Sequence, residues 1–71
     1  MRNGTVKLEL APVGSWWQVR YYSDGSWFYV FQSSDQASAG AVYEYLEMLN
    51  KLPSQRAALQ RYLGALESDS A

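Results

Sequence analysis

The sequence predicts an α+β fold, in which a three-stranded antiparallel sheet is packed on one face by two C-terminal helices. Three observations predict this fold. Residues 5–11 alternate between polar and apolar side chains, which is the pattern of a half-buried strand. An Asp24-Gly25 pair lies between two aromatic, β-rich runs, as in a tight hairpin. After residue 34, apolar side chains recur at helical spacing.

The composition indicates one small domain, spanning residues 1–71, with few chemically reactive groups. The chain has no cysteine and no histidine, so disulfides and zinc-finger ligand sets are excluded, and the usual general base and thiol nucleophile are missing. Its five glycines are scattered and form no phosphate-binding loop. Glu44 and Glu47 share a helix face, where we expect both to be solvated. We therefore predict no enzymatic activity, no cofactor and no metal site.

The charge balance and the hydropathy predict a soluble, cytoplasmic protein. Six basic and seven acidic side chains give a net charge of −1, so no domain-wide positive field attracts nucleic acid. Residues 1–5 show no apolar signal-peptide core, and no apolar run is long enough to cross a bilayer. No membrane partner is expected.

Three strands are predicted, at residues 5–11, 16–22 and 27–32. In the first strand the apolar residues at even positions face the core. Pro12 and Gly14 then predict a turn over the segment that precedes the second strand. Val6, Leu8 and Leu10 are the core residues expected from the first strand.

The Asp24-Gly25 pair also predicts the register of the hairpin, because a type I′ turn needs positive φ at both loop residues. Counting outward from it pairs Tyr22 with Trp27, Tyr21 with Phe28, Arg20 with Tyr29, Val19 with Val30, and Gln18 with Phe31. The first strand is expected to pair Leu10 with Trp17, Leu8 with Val19, and Val6 with Tyr21. Facing residues share one side of the sheet, so this register gives one uniformly apolar face, formed by Trp17, Val19, Tyr21, Phe28 and Val30 together with the first strand.

Two helices are predicted, at residues 34–50 and 54–66. Ser33 with Gln36 matches a capping box for the first helix, and Pro53 ends it, with Ser54 capping the second. The predicted buried stripes are Val42, Tyr45, Leu46, Leu49 and Leu52 in the first helix, and Leu59, Tyr62, Leu63 and Leu66 in the second. We expect the second helix either to fold back on the first or to dock on a second subunit. A frayed polar tail, 67–71, would follow.

The other side of the hairpin carries more aromatic residues than a solvated sheet face normally does. Large exposed apolar patches mark interaction sites, and Trp, Tyr and Arg are enriched in binding hot spots. The residues predicted to bind a partner are Trp16, Arg20, Tyr22, Trp27, Tyr29 and Phe31. Lys7, Glu9 and Gln18 are expected on the same face. The alternative to a binding surface is that this face is covered, either by the second helix or the N-terminus of the same chain or by a second copy in a homodimer.

From the turn before the second strand onward, the chain shows a glycine, a tryptophan, alternating strand residues, a glycine turn, a strand that ends in Phe and a small polar residue, and then a helix. The positions concerned are Gly14, Trp16 or Trp17, Val19, Tyr21, Gly25, Phe31, Ser33 and Ala37. Residues 14–49 thereby resemble the AP2-like, arm-type N-terminal DNA-binding domains of phage-type tyrosine recombinases. The resemblance implies three strands followed by a helix, with a Lys- and Arg-rich sheet face in the DNA major groove. Here that face offers only Lys7 and Arg20.

The function predicted first is a non-catalytic module that binds a macromolecular partner, with a protein as the preferred partner. The small size, the acidity and the recombinase-like pattern are consistent with an accessory or inhibitor protein of a phage or mobile element, including the anti-CRISPR kind. A nucleic-acid-binding domain that stacks bases on the aromatic face is the second hypothesis. The third is a structural subunit of a homo-oligomer that buries the aromatic face and the second helix's stripe.

Overall fold

The computed structural model describes residues 5–70, with side chains described through residue 67. The strands are β1 (Lys7–Val13), β2 (Trp16–Ser23) and β3 (Ser26–Ser33), and the helices are α1 (Gln36–Lys51) and α2 (Pro53–Ser70). The strands form one antiparallel sheet in the order β1-β2-β3, so β2 is central and the other two are edges. Both helices pack against this sheet, which confirms the predicted α+β fold.

Two tight turns connect the strands. Asp24 and Gly25 have φ values of +53° and +86°, as a type I′ hairpin turn requires, and they confirm the predicted turn between β2 and β3. The turn between β1 and β2 is shorter than predicted. Gly14 (φ +62°) and Ser15 alone form the loop, and Pro12 lies inside β1. A proline is tolerated there because β1 is an edge strand.

The shorter first turn shifts the predicted register between β1 and β2 by two residues. Leu10 pairs with Val19 instead of Trp17, and Leu8 pairs with Tyr21 instead of Val19. A shift of two residues leaves every side chain on its predicted face, because side chains alternate with a period of two. The face assignment of β1 is therefore correct although its pairing is wrong.

A β-bulge in β3 breaks the predicted register of the second hairpin. The pairs from Tyr22–Trp27 to Arg20–Tyr29 are as predicted, but Val19 then faces Phe31 and Gln18 faces Gln32. Val30 is the additional residue, and the predicted pairs Val19–Val30 and Gln18–Phe31 are wrong. In an unbroken register Gln32 would point into the core and Phe31 away from it. The bulge reverses both, so Phe31 packs against the core and Gln32 is exposed.

Helix α1 begins two residues later than the capping box predicted. Its N-cap is Asp35, whose carboxylate accepts hydrogen bonds from the Ala37 N–H (3.3 Å) and the Ser38 hydroxyl (2.7 Å). These bonds, that from Ser38 first, hold the pKa of Asp35 below its usual value. Ser33 instead accepts a hydrogen bond from the Asp35 N–H at 3.0 Å. Aspartate and serine are equally good N-cap residues, so Asp35 can cap the helix although Ser33 comes first in the chain.

Pro53 ends α1 as predicted, and it is also the first residue of α2. Only Leu52 separates the two helices. The predicted cap at Ser54 is wrong, because α2 already begins at Pro53. Proline suits the first helical position, where the N–H that it lacks would have no partner within the helix. Helix α2 continues through Ser70, four residues beyond its predicted end, in place of the predicted frayed tail. Ala71, the tail's last residue, lies outside the described residues, as do residues 1–4.

The core lies between the inner face of the sheet and the two helices. Its buried residues are Val19, Tyr21, Ala39, Leu46, Leu59 and Leu63. Leu59 and Leu63 are only 1% and 3% exposed, so α2 packs within its own chain. The predicted helical stripes are too wide, since Tyr45, Leu52 and Tyr62 are at least half exposed.

Two polar contacts fasten this core. The Tyr21 hydroxyl, at the centre of the sheet, lies 2.7 Å from the Glu67 carboxylate and 3.2 Å from the Leu63 carbonyl, and it donates to these acceptors. Burial, followed by the bond to Glu67, raises the pKa of Tyr21 far above its usual value. On α1 the Tyr43 hydroxyl donates to Glu47 at 2.8 Å, and this bond raises the pKa of Tyr43.

Asn50 is a buried polar residue that the sequence did not indicate. Its side chain is 4% exposed, accepts a hydrogen bond from the Val6 N–H at 2.9 Å, and donates to the Val6 carbonyl at 2.6 Å. The side-chain amide thus makes the two hydrogen bonds to Val6 that a neighbouring strand would otherwise make, just before the start of β1. Arg56 donates to the Asn50 carbonyl at 2.7 Å, which satisfies one of the unpaired carbonyls at the C-terminus of α1.

Candidate binding surface on the outer face of the sheet

The outer face of the sheet is the side that faces away from both helices. Because the strands are in register across this face, its side chains form rows perpendicular to the strands. The successive rows are Lys7, Tyr22 and Trp27; then Glu9, Arg20 and Tyr29; then Ala11, Gln18 and Gln32; and then Val13 with Trp16. Within the part of the chain that the structure describes, no helix covers them.

Trp27, at the β3 end of the first row, contacts three side chains of the first two rows. The Tyr22 ring meets it edge to face, with ring centroids 5.3 Å apart. The Arg20 guanidinium lies 5.2 Å from the Trp27 centroid, and the Lys7 ammonium lies 6.0 Å from it and 5.7 Å from the Tyr22 ring. Each distance is within the range of a cation–π interaction. Both cations therefore lie close to the indole ring, Lys7 from the first row and Arg20 from the second.

Glu9 fixes the position of Arg20. One Glu9 oxygen lies 2.9 Å from Arg20 Nη2 and 3.0 Å from its Nε, so it accepts from two nitrogens of the guanidinium. The Arg20 side chain is 29% exposed and that of Glu9 is 44% exposed. An ion pair at such exposure contributes little stability, but it reduces the number of conformations that Arg20 samples above Trp27. It also compensates the Arg20 charge, which leaves Lys7 as the uncompensated cation among these residues.

The aromatic side chains of this face are partly exposed, including those of Tyr22 and Trp27, which contact one another. The exposed fractions are 40% for Trp27, 44% for Tyr22, 62% for Tyr29 and 45% for Trp16. These values are high for residues of this size, which bury most of their surface when they belong to a core. The prediction of an aromatic outer face is thus confirmed for these four residues.

The structure brings together four of the six predicted binding residues: Arg20, Tyr22, Trp27 and Tyr29. Trp16 is on the same face but four residues from Arg20 along β2, about 13 Å at roughly 3.3 Å per residue. Between them Gln18 donates a side-chain hydrogen bond to Gln32 at 3.3 Å. Trp16 therefore sits at the far end of the face, beside Val13.

Phe31 does not belong to this face, and its placement there was wrong. The bulge at Val30 turns Phe31 toward the helices, where it packs against the core. The signal was present in the sequence, since a register that buries Gln32 and exposes Phe31 is unfavourable. Val13 was missed for a related reason. It was assigned to the turn, but it extends β1 opposite Trp16 and is 43% exposed.

A second apolar feature lies on the helix side, where an open groove of about 400 Å³ runs between β3 and the two helices. Val30 and Phe31 line it from the sheet, and the half-exposed rings of Tyr45 and Tyr62 line it from the helices. The groove shares no residue with the outer face. It supplies exposed aromatic residues that can serve as controls for the outer face.

Neither helix of the described chain is both long enough and apolar enough to cross a membrane. Among residues 5–70, no three His, Cys, Asp or Glu side chains cluster in a way that could hold a metal ion.

The comparisons with known proteins found no match. No protein family, no curated protein and no solved structure is significantly similar to this chain.

Proposed function

We propose that this protein is a non-catalytic binding module that engages another protein through Arg20, Tyr22, Trp27 and Tyr29, with Trp16 extending the contact. One observation carries the proposal: the Trp27 ring is held by two cations and a tyrosine, yet remains 40% exposed. Such an aromatic cluster away from the core has the composition and the exposure of a binding hot spot.

The arrangement also lowers the cost of binding. Association must immobilise interface side chains, at roughly 0.5–1.5 kcal/mol for each flexible one. Arg20 is already held between Glu9 and Trp27, and Tyr22 is already packed on Trp27. A partner therefore meets side chains that have lost much of their freedom during folding. Rigid aromatic anchors of this kind give affinity without a large interface.

Binding by this face would act through occlusion of the partner's surface. Occlusion requires contact with the partner but no catalysis. This mode of action suits a cytoplasmic accessory or inhibitor protein encoded by a phage or mobile element. The combined charge of Lys7, Arg20 and Glu9 is slightly positive, so a partner surface with a carboxylate near its apolar patch would complement the face. Lys7 is the residue placed to meet that carboxylate.

The first test is capture of a partner from source-cell extract by the purified chain. Trp27→Ser with Tyr29→Ser should abolish capture while the circular dichroism spectrum is unchanged. The matched control is Tyr45→Ser with Met48→Ser, which removes two side chains of α1 that are each 56% exposed and should capture as the wild type does. Unfolding of the Trp27, Tyr29 variant, or equal loss of capture in both variants, would contradict the proposal.

Nucleic-acid binding is the competing function, because exposed rings can stack on bases. The cations of the face weigh against it: among residues 5–70, Arg20 is paired with Glu9, and Lys7 is the one cation of this face left for a phosphate. Affinity for nucleic acid falls steeply with salt in proportion to the number of phosphates contacted. Titrating single-stranded and duplex oligonucleotides at low and moderate salt separates the two functions. Tight binding that weakens steeply with salt would replace the protein-binding proposal.

A further inference from the structure

The two edges of the sheet are protected to different degrees. β1 carries Lys7 and Glu9, contains Pro12, and has the Asn50 amide bonded to Val6 at its start. Charges, proline and covering groups are the usual means by which an edge strand avoids pairing with another chain. β3 has the sequence SWFYVFQS, with no charged residue and no proline. Its bulge at Val30 is the one such feature in the strand, and the segment before it is regular.

The hydrogen-bonding groups of Trp27 and Tyr29 point out of the β3 edge. The tight turn at Asp24-Gly25 closes the hairpin with a hydrogen-bonded pair, Ser23 and Ser26. Bonded and non-bonded pairs alternate along an antiparallel ladder. Phe28 therefore bonds to β2, whereas the N–H and C=O groups of Trp27 and Tyr29 face away from it. These are the same two residues whose side chains are exposed on the outer face.

This edge is complementary to itself. An antiparallel copy of β3 related by a two-fold axis at Phe28 would place Trp27 of each chain opposite Tyr29 of the other. Both pairs would be of the hydrogen-bonded kind, because both residues have outward-facing backbone groups, and each pair would exchange two N–H···O bonds. The side chains of each pair would meet on the outer face as an aromatic cross-strand pair. No like charges would oppose one another, since the strand is uncharged.

Helix α2 leaves this edge open. Its C-terminal half lies over Tyr21 of the central strand, where Leu63 and Glu67 receive the tyrosine hydroxyl bond. On one side of that helix a cavity reaches the start of β1, through Thr5 and Lys7. On the other side a smaller cavity separates Leu66 and Glu67 from Phe28 and Tyr29. Among the three strands, the α2 backbone comes closest to β3, yet Trp27 and Tyr29 remain 40% and 62% exposed, so the helix leaves these two residues of the edge accessible.

We infer that a second copy of this chain docks on the β3 edge and joins the two sheets into one six-stranded antiparallel sheet. The second copy is the occupant because the β3 edge matches itself. Its outward backbone groups and its aromatic residues pair with those of an identical strand, and no charge opposes the pairing. The contact is short, ending at the bulge, so the dimer dissociates on dilution. Dimerisation does not depend on the hetero-partner proposed above. It would place the outer aromatic faces of both copies side by side.

Two charge variants test this register. Trp27→Glu with Tyr29→Glu would set like charges opposite each other at both cross-chain pairs, whereas Trp27→Glu with Tyr29→Lys would set opposite charges there. Both variants remove the same aromatic side chains, so each should lose hetero-partner capture to the same extent. Sedimentation equilibrium should give about twice the mass of one 8.1 kDa chain for concentrated wild type and for the Glu, Lys variant. The Glu, Glu variant should keep the mass of one chain.

Amide hydrogen exchange provides a reading at single-residue level. The amides of Trp27 and Tyr29 should be protected in a concentrated wild-type sample and should exchange at least tenfold faster after dilution, while that of Phe28 changes little. Three results would each overturn the inference: a wild type that has the mass of one chain at every concentration, a Glu, Glu variant that dimerises as the wild type does, or a Glu, Lys variant that stays monomeric while properly folded. Circular dichroism establishes folding in each case.

Discussion

Single residues determine how this small domain closes around its core, and Asn50 and Tyr21 show this most clearly. Asn50 bonds to a backbone group 44 residues away, and Tyr21 reaches Glu67 from the middle of the sheet. Neither contact follows from local pattern, because an asparagine near the end of a helix has the sequence signature of a cap. Tyr21 was correctly assigned to the core, but its hydroxyl partner depended on α2 continuing beyond residue 66.

Removing the Tyr21 hydroxyl tests its contact with α2. Tyr21→Phe should lower the free energy of unfolding by about 1–2 kcal/mol, because a buried bond to a carboxylate is lost while the ring remains. The measurement is urea-induced unfolding at pH 7. Tyr22→Phe is the control, since Tyr22 is 44% exposed and should change stability little. Equal effects of the two substitutions would show that the bond to Glu67 does not stabilise the fold.

The same bond sets a pH dependence. The folded-state pKa of Tyr21 is raised above the unfolded value near 10, so its contribution is fully present below pH 10 and is lost as the pH rises above it. Between pH 10 and 11 the wild type should lose up to about 1.4 kcal/mol more stability than Tyr21→Phe does. Parallel stability curves for the two proteins in that window would contradict this assignment.

At the scale of the element, the bulge in β3 decides which residues lie on the outer face and which pack against the core. Counting from the Asp24-Gly25 turn predicts the hairpin correctly for three pairs and fails at Val30. Turn geometry is local, so it constrains the strand near the turn. Farther along, the burial of Phe31 against the helices outweighs it. The sequence contained this information, because either Phe31 or Gln32 must point toward the core, and burying the phenylalanine is more favourable than burying the glutamine.

Deleting Val30 should therefore be tolerated. Without the additional residue, Phe31 would still face Val19 and Gln32 would still face Gln18, now in a regular ladder. The half-buried valine side chain is lost, which should cost about 1–2 kcal/mol. Thermal unfolding should remain cooperative.

The control is deletion of Arg20 from the unbulged β2. That deletion turns one half of the strand over, moves its core residues to the outer face, and should abolish cooperative unfolding. A Val30 deletion as disruptive as the Arg20 deletion would mean that the bulge is itself required for the fold.

Across the whole molecule, the sheet separates the core from the aromatic face that we propose binds a partner. The element order, the faces of β1 and β2 and the position of the core on one side could be predicted, because period-two and helical patterns are strong in this chain. The exact pairing of β1 could not be predicted, because Pro12 fits an edge strand as well as a turn. The N-cap of α1 could not, because Ser33 and Asp35 are equally suitable caps. The end of α2 could not, because it depends on a contact between Glu67 and the distant Tyr21. The position of both helices on the inner face is what leaves Trp16, Tyr22, Trp27 and Tyr29 exposed.

This separation predicts that two substitutions which each remove a large side chain destabilise the fold to very different extents. Tyr29→Ser should change the free energy of unfolding by no more than about 0.5–1 kcal/mol, because Tyr29 is 62% exposed on the outer face. Leu59→Ala should cost about 2–5 kcal/mol, because Leu59 is 1% exposed between α2 and the core. Both values come from urea unfolding of the monomer at low protein concentration. If Tyr29→Ser costs as much as Leu59→Ala, the aromatic face supports the fold, and a binding role is no longer needed to explain it.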